Sequence, residues 1–248
     1  NRCVIKDNTT SDRMMTIYYA SSSISNSVIC NNKCTYSNEP IYSYYANIIN
    51  CTVAHNESKH ANVIYMSNAT MKNSIVVGNK LNGNYGNVLS LNGTNMIKNN
   101  MFEGTFVDGN MDGSMAYAAF TDAENGDYSL SANSYCINAG EDVADSLDLL
   151  GKSRKQGGAV DMGAIESAHT KAPVFQKCGD IIYVKSGSEG DGTSWKSAFG
   201  DIQQAIFQAS ADSKKHQIWV ATGTYYGDTT QSTVVNLAPG ISLYGGFA

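Results

Sequence analysis

A short motif of alternating small and apolar positions recurs along the first 110 residues. It starts at Arg2, Asn26, Asn50, Asn73 and Asn99, in steps of 24, 24, 23 and 26 residues. Repetition at such a period is typical of a solenoid, in which each repeat buries its apolar face against its neighbours. Leucine-rich and helical repeats need Leu-rich or 3.6-residue patterns, and this region has neither. We therefore expect strand-forming repeats.

Two apolar columns in each repeat predict two strands joined by a corner. One column consists of Ile5, Ile29, Val53 and Val76. The other consists of Ile24, Ile48, Met71 and Ile97. Because side chains alternate along a strand, one continuous strand cannot direct both columns inward. The conflict disappears if the chain turns at the Asn that begins each repeat, since Asn tolerates the left-handed conformation. The pattern thus predicts an all-β fold, a right-handed parallel β-helix solenoid with stacked Asn side chains at its corners.

Composition and charge restrict the function classes. Of the 25 Asn residues, 21 fall in the first 110 positions, as expected if amide ladders line the corners. The net charge is −5 and no cluster of five or more Lys and Arg occurs, so we expect no nucleic-acid partner. No apolar run is long enough to span a bilayer. The chain begins inside a repeat without an initiator Met, and we expect it to be a piece of a longer protein. Six cysteines allow several pairings, and Cys30 with Cys34, or Cys136 with Cys178, would close loops in an oxidising compartment.

A second set of motifs replaces the repeat after residue 110. The motifs are DYSL at 127–130, SYCINAG at 134–140 and GGAVDMGAIE at 157–166. They resemble the closing coils of secreted bacterial β-helix proteins of the pectate-lyase-like family, such as surface proteins of Bacteroides-type bacteria. The resemblance implies that residues 1–167 are the C-terminal coils and closing end of one parallel β-helix, and that the protein is secreted or lies on the bacterial outer surface.

The remaining part of the chain resembles the beginning of the same kind of domain. Its motifs are IYVK at 182–185, GDGTSW at 190–195, IWVATGTY at 218–225 and GISLYGGF at 240–247. The stretch 168–180 is polar and contains Pro173, which predicts a linker. Residues 181–248 then form an N-terminal cap with the first coils of a β-helix, either as a second domain or docked on the first.

An amphipathic helix is predicted within this cap. Ile202, Ala205, Ile206 and Ala209 follow the helical template, and Asp201 or Ser197 is placed to cap its start. We expect the helix to plug the open end of a β-helix. If the cap covers the first coil of another molecule, the chain associates head to tail with itself, whereas docking within one molecule gives a closed monomer. A piece of a tandem array of β-helix domains is the alternative.

Two motifs suggest binding sites. The segment 108–113, DGNMDG, places Asp108, Asn110 and Asp112 like the first ligands of an EF-type calcium loop, although position 12 is Ala119 instead of Glu. A plain turn is the alternative, and we expect no other cofactor. Tyr18, Tyr42 and Tyr65 each follow an isoleucine at the same point of the repeat. If the isoleucines are buried, the tyrosines form an exposed column that stacks on sugars or only stabilises the sheet.

A catalytic site has little support in the sequence. At one corner column only Asp7 and His55 titrate usefully, and they lie two coils apart. The sequence contains no recognisable Ser/His/Asp set, zinc-ligand spacing or phosphate-binding loop. We therefore expect a non-catalytic secreted or cell-surface module with a structural or adhesive role, which binds glycans or a surface protein. The alternative is a polysaccharide lyase or glycoside hydrolase of the pectate-lyase-like class, which requires carboxylates and a basic residue that converge in a groove.

Overall fold

The computed structural model describes most of the chain. It covers residues 1–36, 38–85, 88–103, 109–113, 118–170, 180–210, 216–226, 235, 237 and 240–247, with only the backbone of Asp112 and Ser210. The chain divides into two compact units, Asn1–Pro173 and Val174–Ala248. Most of the predicted linker, residues 171–179, lies outside the described part.

The first unit is a parallel β-solenoid, which confirms the predicted fold class. Sheet 1 contains Val4–Lys6, Val28–Cys30, Thr52–Ala54, Ile75–Val77, Met101–Phe102 and Met111–Asp112. Sheet 2 contains Thr9–Thr10, Lys33–Cys34, Glu57–Ser58, Lys80–Leu81 and the antiparallel Asn84–Tyr85. Sheet 3 contains Met15–Tyr18, Ile41–Tyr44, Ile64–Ser67 and Leu89–Asn92. Sheet 4 contains Ser23–Ser25, Asn47–Ile49, Thr70–Lys72 and Met96–Lys98. Each coil contains one strand from each of the four sheets. Coils 1 to 4 are residues 2–25, 26–49, 50–72 and 73–98.

The predicted corners are present. The Asn residues that begin coils 2 to 4, and Asn99, have φ between 49° and 55°, which is the left-handed region. A second corner follows sheet 1, where Asp7, Asn31, His55 and Gly78 have φ between 55° and 66°. Both apolar columns point inward as expected, and Ile29, Ile48, Val53, Met71 and Val76 are fully buried.

Two ladders of Asn side chains run along the corners. In the first, Asn50 donates to Asn26 and Asn73 donates to Asn50, each at 3.1 Å. In the second, hydrogen bonds of 2.8–3.0 Å between side-chain amides link Asn8, Asn32, Asn56 and Asn79. The buried amides therefore find partners in the next coil, which satisfies their hydrogen-bonding capacity without solvent.

The stretch that follows the solenoid coils runs along their side. Residues 118–167, here called the lateral segment, include a hairpin of Phe120–Asp122 and Asp127–Leu130 around a 3₁₀ turn, Ala123–Asn125. The backbone N–H of Gly163 donates to the carbonyl of Asn73 at 2.7 Å, and that of Ala164 donates to the Thr52 hydroxyl at 3.1 Å.

The lateral segment extends from the second to the fifth strand of sheet 1. The Cys136 Sγ lies 3.8 Å from the Met101 Sδ beside the fifth strand, and Asp145 accepts from Asn26 at 3.0 Å beside the second. We expected this stretch to close the end of the β-helix, yet its described contacts extend along the outer face of sheet 1. The physical reason is that strands such as Val28–Cys30 and Ile75–Val77 are apolar on both faces, and all of their residues are buried.

The second unit packs a helix against a small parallel sheet. The sheet consists of Ile181–Val184, His216–Ala221 and Ile241–Phe247, and a 3₁₀ turn occupies Trp195–Ser197. The helix, α1, spans Ile202–Ser210. Its apolar face, which includes Ala205, Ile206 and Ala209, packs against the inner face of the sheet.

The predicted helix and one of its two predicted caps are confirmed. The Asp201 carboxylate accepts the backbone N–H of Gln204 at 2.7 Å, which is the geometry of an N-cap. Ser197 instead belongs to the preceding 3₁₀ turn. Head-to-tail association through this unit stays a prediction. No helix in the described ranges is long and apolar enough to cross a membrane.

The cysteines that the structure describes are all free. Cys30, Cys34, Cys51 and Cys136 are buried, and Cys3 is exposed. Cys30 and Cys34, one of the pairs that the sequence left open, are therefore not bridged. Cys178, the other expected partner of Cys136, lies outside the described residues.

Candidate functional site

Six tyrosines are gathered at the outward face of sheet 3 and at the corner that follows it. They are Tyr18, Tyr19, Tyr42, Tyr44, Tyr45 and Tyr65, here called the tyrosine surface. Ile17, Ile41 and Ile64 are buried, so the tyrosine that follows each of them points outward, as we expected. Tyr18, Tyr19 and Tyr45 are exposed, and the other three are partly buried.

The three predicted tyrosines do not form one straight column. Tyr42 pairs with Tyr65, but Tyr18 pairs with Tyr44 and lies two residues further along the strand. The cause is a difference in loop length between coils 1 and 2. Four residues, 11–14, join sheet 2 to sheet 3 in coil 1, whereas six residues, 35–40, do so in coil 2. The step between these strands is therefore 26 residues, although the next sheet returns to a step of 24.

The rings pack in two neighbouring columns. Tyr42 and Tyr65 are stacked with centroids 4.8 Å apart and an interplanar angle of 5°. In the second column Tyr18 and Tyr44 are 5.5 Å apart, and Tyr18 is also 5.7 Å from Tyr42. Tyr45 meets Tyr44 edge to face at 4.6 Å. Such aromatic pairs stabilise the sheet and also form an amphipathic surface of ring edges and hydroxyls.

Charges and polar groups border this surface. The Arg13 guanidinium lies 4.1 Å from the centroid of the Tyr42 ring, which is a cation–π contact. At the other side the Asn92 amide donates to the Tyr65 hydroxyl at 3.0 Å. Partial burial raises the pKa of Tyr42, and the adjacent Tyr45 raises the pKa of Tyr44. These phenols are therefore neutral at pH 7 and can both donate and accept hydrogen bonds.

Sequence reasoning missed half of the tyrosine surface. Tyr44 is two positions after Tyr42, and a period of two places both on one face of the strand, so the sequence contained that signal. Tyr19 and Tyr45 have φ of 76° and 52°, and these corner positions are rarely bulky. Arg13 comes from a loop whose path the repeat pattern does not predict.

The predicted calcium loop is only partly described. Asp108 and the Asp112 side chain lie outside the described part of the structure. The Asn110 Oδ1 accepts from the backbone and side-chain nitrogens of Asn100 at 2.9 and 2.8 Å, an amide pair like those of the corner ladders. Within the described ranges, no three His, Cys, Asp or Glu side chains are close enough to hold a metal ion. A calcium ion at this loop stays a prediction.

His55 belongs to a group of neutral side chains beneath the lateral segment. Its Nδ1 lies 3.2 Å from the Tyr128 hydroxyl. Burial lowers the pKa of His55 and raises the pKa of both Cys30 and Tyr128. Each change favours the uncharged form of its group, so burial disfavours a thiolate at Cys30, a phenolate at Tyr128 and an imidazolium at His55.

Three carboxylates and one guanidinium are buried within the lateral segment. Asp148, Asp161 and Glu166 each accept two backbone N–H groups, at distances from 2.7 to 3.4 Å. Arg154 donates to two carbonyls, and its Nε lies 3.9 Å from Glu166. Burial raises the pKa of Asp161 and raises that of Glu166 to about 7. All four residues are closed off from solvent, so this cluster organises the segment's turns.

A second aromatic cluster lies on the second unit. Trp219 stacks on Phe247 at 4.6 Å and 5°, and Tyr183 and Trp195 meet edge to face at 4.9 Å. The four rings are partly buried. Of the two tryptophans, Trp219 lies between the buried Ile218 and Val220, an alternation that directs it outward and that the sequence contains.

Comparisons with models of protein families, with curated proteins and with solved structures found no match to this chain.

Proposed function

We propose that this chain is a non-catalytic module of a secreted or cell-surface β-helix protein, and that it binds glycans through the tyrosine surface. The observation that carries the proposal is the gathering of six tyrosines on one side of the solenoid, next to an exposed arginine. Aromatic rings contact the apolar C–H faces of sugars, while their hydroxyls bond the sugar hydroxyls.

The form of the surface favours a long ligand. The tyrosines extend over coils 1 to 3, and neighbouring strands of a sheet are about 4.8 Å apart. An extended polymer can lie across such a band and contact several rings at once. A small ligand is better held in a concave pocket. A polysaccharide therefore fits this surface better than a free sugar. A surface protein is the other class of partner that we consider.

The alternative is a polysaccharide lyase or glycoside hydrolase of the pectate-lyase-like class. A hydrolase requires two carboxyl groups that face the substrate. The carboxylates of Asp148, Asp161 and Glu166 face inward and accept backbone N–H groups instead. No observation in the described residues favours this alternative over binding.

Retention by polysaccharides tests the proposal. The purified chain is run through native gels that contain xylan, hydroxyethylcellulose or polygalacturonate, and its migration is compared with that in a plain gel. We expect retardation by at least one polymer, and loss of most of this retardation in the double variant Tyr42→Ala/Tyr65→Ala.

The matched control is Tyr226→Ala, which removes an exposed tyrosine of the second unit. It should migrate like the parent chain in every gel. Equal retardation of the double variant and the parent chain would show that the tyrosine surface is not the binding site.

A further inference from the structure

The stack of Tyr42 and Tyr65 has two ends, and they differ. Because the rings lie face to face along the stacking direction of the coils, the faces between them are not available to a ligand. A sugar that stacks on this column must therefore use an outer face of the stack. The two outer faces belong to Tyr42 on the side of coil 1 and to Tyr65 on the side of coil 4.

The outer face of Tyr42 is already covered. Its register partner in coil 1 is Thr16, and the Arg13 guanidinium from the same coil lies 4.1 Å from the ring centroid. Tyr18 also lies beside this ring, at 5.7 Å. A ligand at this end would have to displace the cation–π contact.

The outer face of Tyr65 is different because its register partner in coil 4 is the small residue Ser90. Among the residues that the structure describes, Tyr42 provides the only ring contact of Tyr65. Asn92, two residues after Ser90, is exposed and donates to the Tyr65 hydroxyl at 3.0 Å. A ring face, a small side chain and an exposed amide are thus placed around one position.

We propose that this position is a subsite for one sugar ring of a polysaccharide, with Tyr65 as the stacking platform, Asn92 as the hydrogen-bonding partner and Ser90 as the small residue that leaves room for the sugar. The inference rests on the proposed function and makes it more specific. The ring of a pyranose has an apolar C–H face for Tyr65 and equatorial hydroxyls at its edge. Among the residues that the structure describes, none donates to the Asn92 Oδ1, so this oxygen can accept from a sugar hydroxyl.

The test blocks the subsite with an aromatic side chain of the protein itself. Ser90→Phe places an aromatic side chain in register with Tyr65, where it continues the existing stack instead of disturbing the core. Ser90→Ala keeps a small side chain at this position and is the first control. Thr16→Phe adds the same side chain at the covered end of the column and is the second control. Binding to xylan, hydroxyethylcellulose and polygalacturonate is measured by retardation in native gels over a range of polymer concentrations.

We expect Ser90→Phe to weaken binding about tenfold, which corresponds to the loss of one stacking contact, while both controls change it less than about twofold. Thermal unfolding of each variant checks that the fold is kept. If the parent chain is retarded and Ser90→Phe is retarded equally, the subsite is refuted but the tyrosine surface is not. If none of the three polymers retards the parent chain, the subsite and the proposed function are both refuted.

Discussion

Asn56 offers the sharpest test of how the solenoid is stabilised. Its side chain is fully buried at the second corner of coil 3. The Oδ1 accepts from the backbone and side-chain nitrogens of Asn32 at 3.1 and 2.9 Å. The Nδ2 donates to the Ile29 and Ala54 carbonyls at 2.9 and 3.1 Å, and to Asn79 at 3.0 Å. Asn56→Ala removes all of these bonds and fills none of the space.

The expected cost follows from those bonds. A buried hydrogen bond contributes about 1 kcal/mol net, and an orphaned buried donor costs about 1–3 kcal/mol. The backbone N–H of Asn32 loses its acceptor in the variant, and Asn32 is buried. Since several of the lost bonds share atoms, we expect the free energy of unfolding to fall by about 3–5 kcal/mol. This is a large part of the roughly 5–15 kcal/mol that stabilises a typical domain.

Asn8→Ala is the matched control because Asn8 ends the same ladder and is exposed. Its side chain donates to Asn32 at 2.8 Å and to the Lys6 carbonyl at 2.9 Å. Water can replace both bonds, so we expect a loss of about 0.5–1 kcal/mol. Urea unfolding, monitored by circular dichroism, gives the free energy of unfolding of both variants, provided that the dependence of this energy on urea concentration has the same slope in each. A difference between them of less than 1 kcal/mol would refute the claim that the buried ladder holds the coils together.

Three further outcomes are expected. Gly163→Ala should lower the free energy of unfolding, measured with urea, by about 2–3 kcal/mol, because φ is +93° and a Cβ would lie 2.8 Å from Ile75. The control Gly158→Ala should have almost no effect, because the space around Gly158 is open. Burial raises the pKa of Glu166 from 4.5 to about 7, so the folded state keeps this proton to a higher pH than the unfolded chain does. The free energy of unfolding should therefore decrease as the pH rises from 4.5 to 7. Glu166→Gln should flatten this dependence, which urea midpoints measured across the same pH range would show. In a Cys178→Ser variant, native thiol titration should detect only Cys3, since the other described thiols are buried.

The repeat pattern was sufficient to predict the solenoid because a corner residue has a local signature. An Asn between two apolar columns needs a left-handed backbone, and Asn26, Asn50 and Asn73 adopt it with φ near 50°. The inward columns follow from the same alternation. These features depend on neighbours in sequence, so a single sequence contains them.

The covering of sheet 1 was also detectable, although we did not predict it. In Val28–Cys30 and Ile75–Val77 every position is apolar, which is typical of a strand buried on both faces. What the sequence does not contain is the identity of the covering segment, because contacts such as that of Ala164 with Thr52 join positions far apart in the chain.

The tyrosine surface was predicted in part because its register depends on loop lengths. A constant step of 24 residues aligns Tyr18 with Tyr42. Two additional residues in the loop before Ile41 move the pairing to Tyr44. Loop insertions are tolerated in solenoids and leave no periodic signal, so the order of the rings was not predictable from the repeat.

The central claim is that the chain binds glycans without cleaving them. The most direct test measures binding and cleavage in one experiment. The purified chain is incubated with xylan, hydroxyethylcellulose and polygalacturonate, with and without calcium, and retention by the polymer is measured together with unsaturated products and new reducing ends. We expect retention by at least one polymer without product in any mixture. Product formation that depends on the chain would contradict the claim of a non-catalytic binding module, and absence of retention would contradict glycan binding itself.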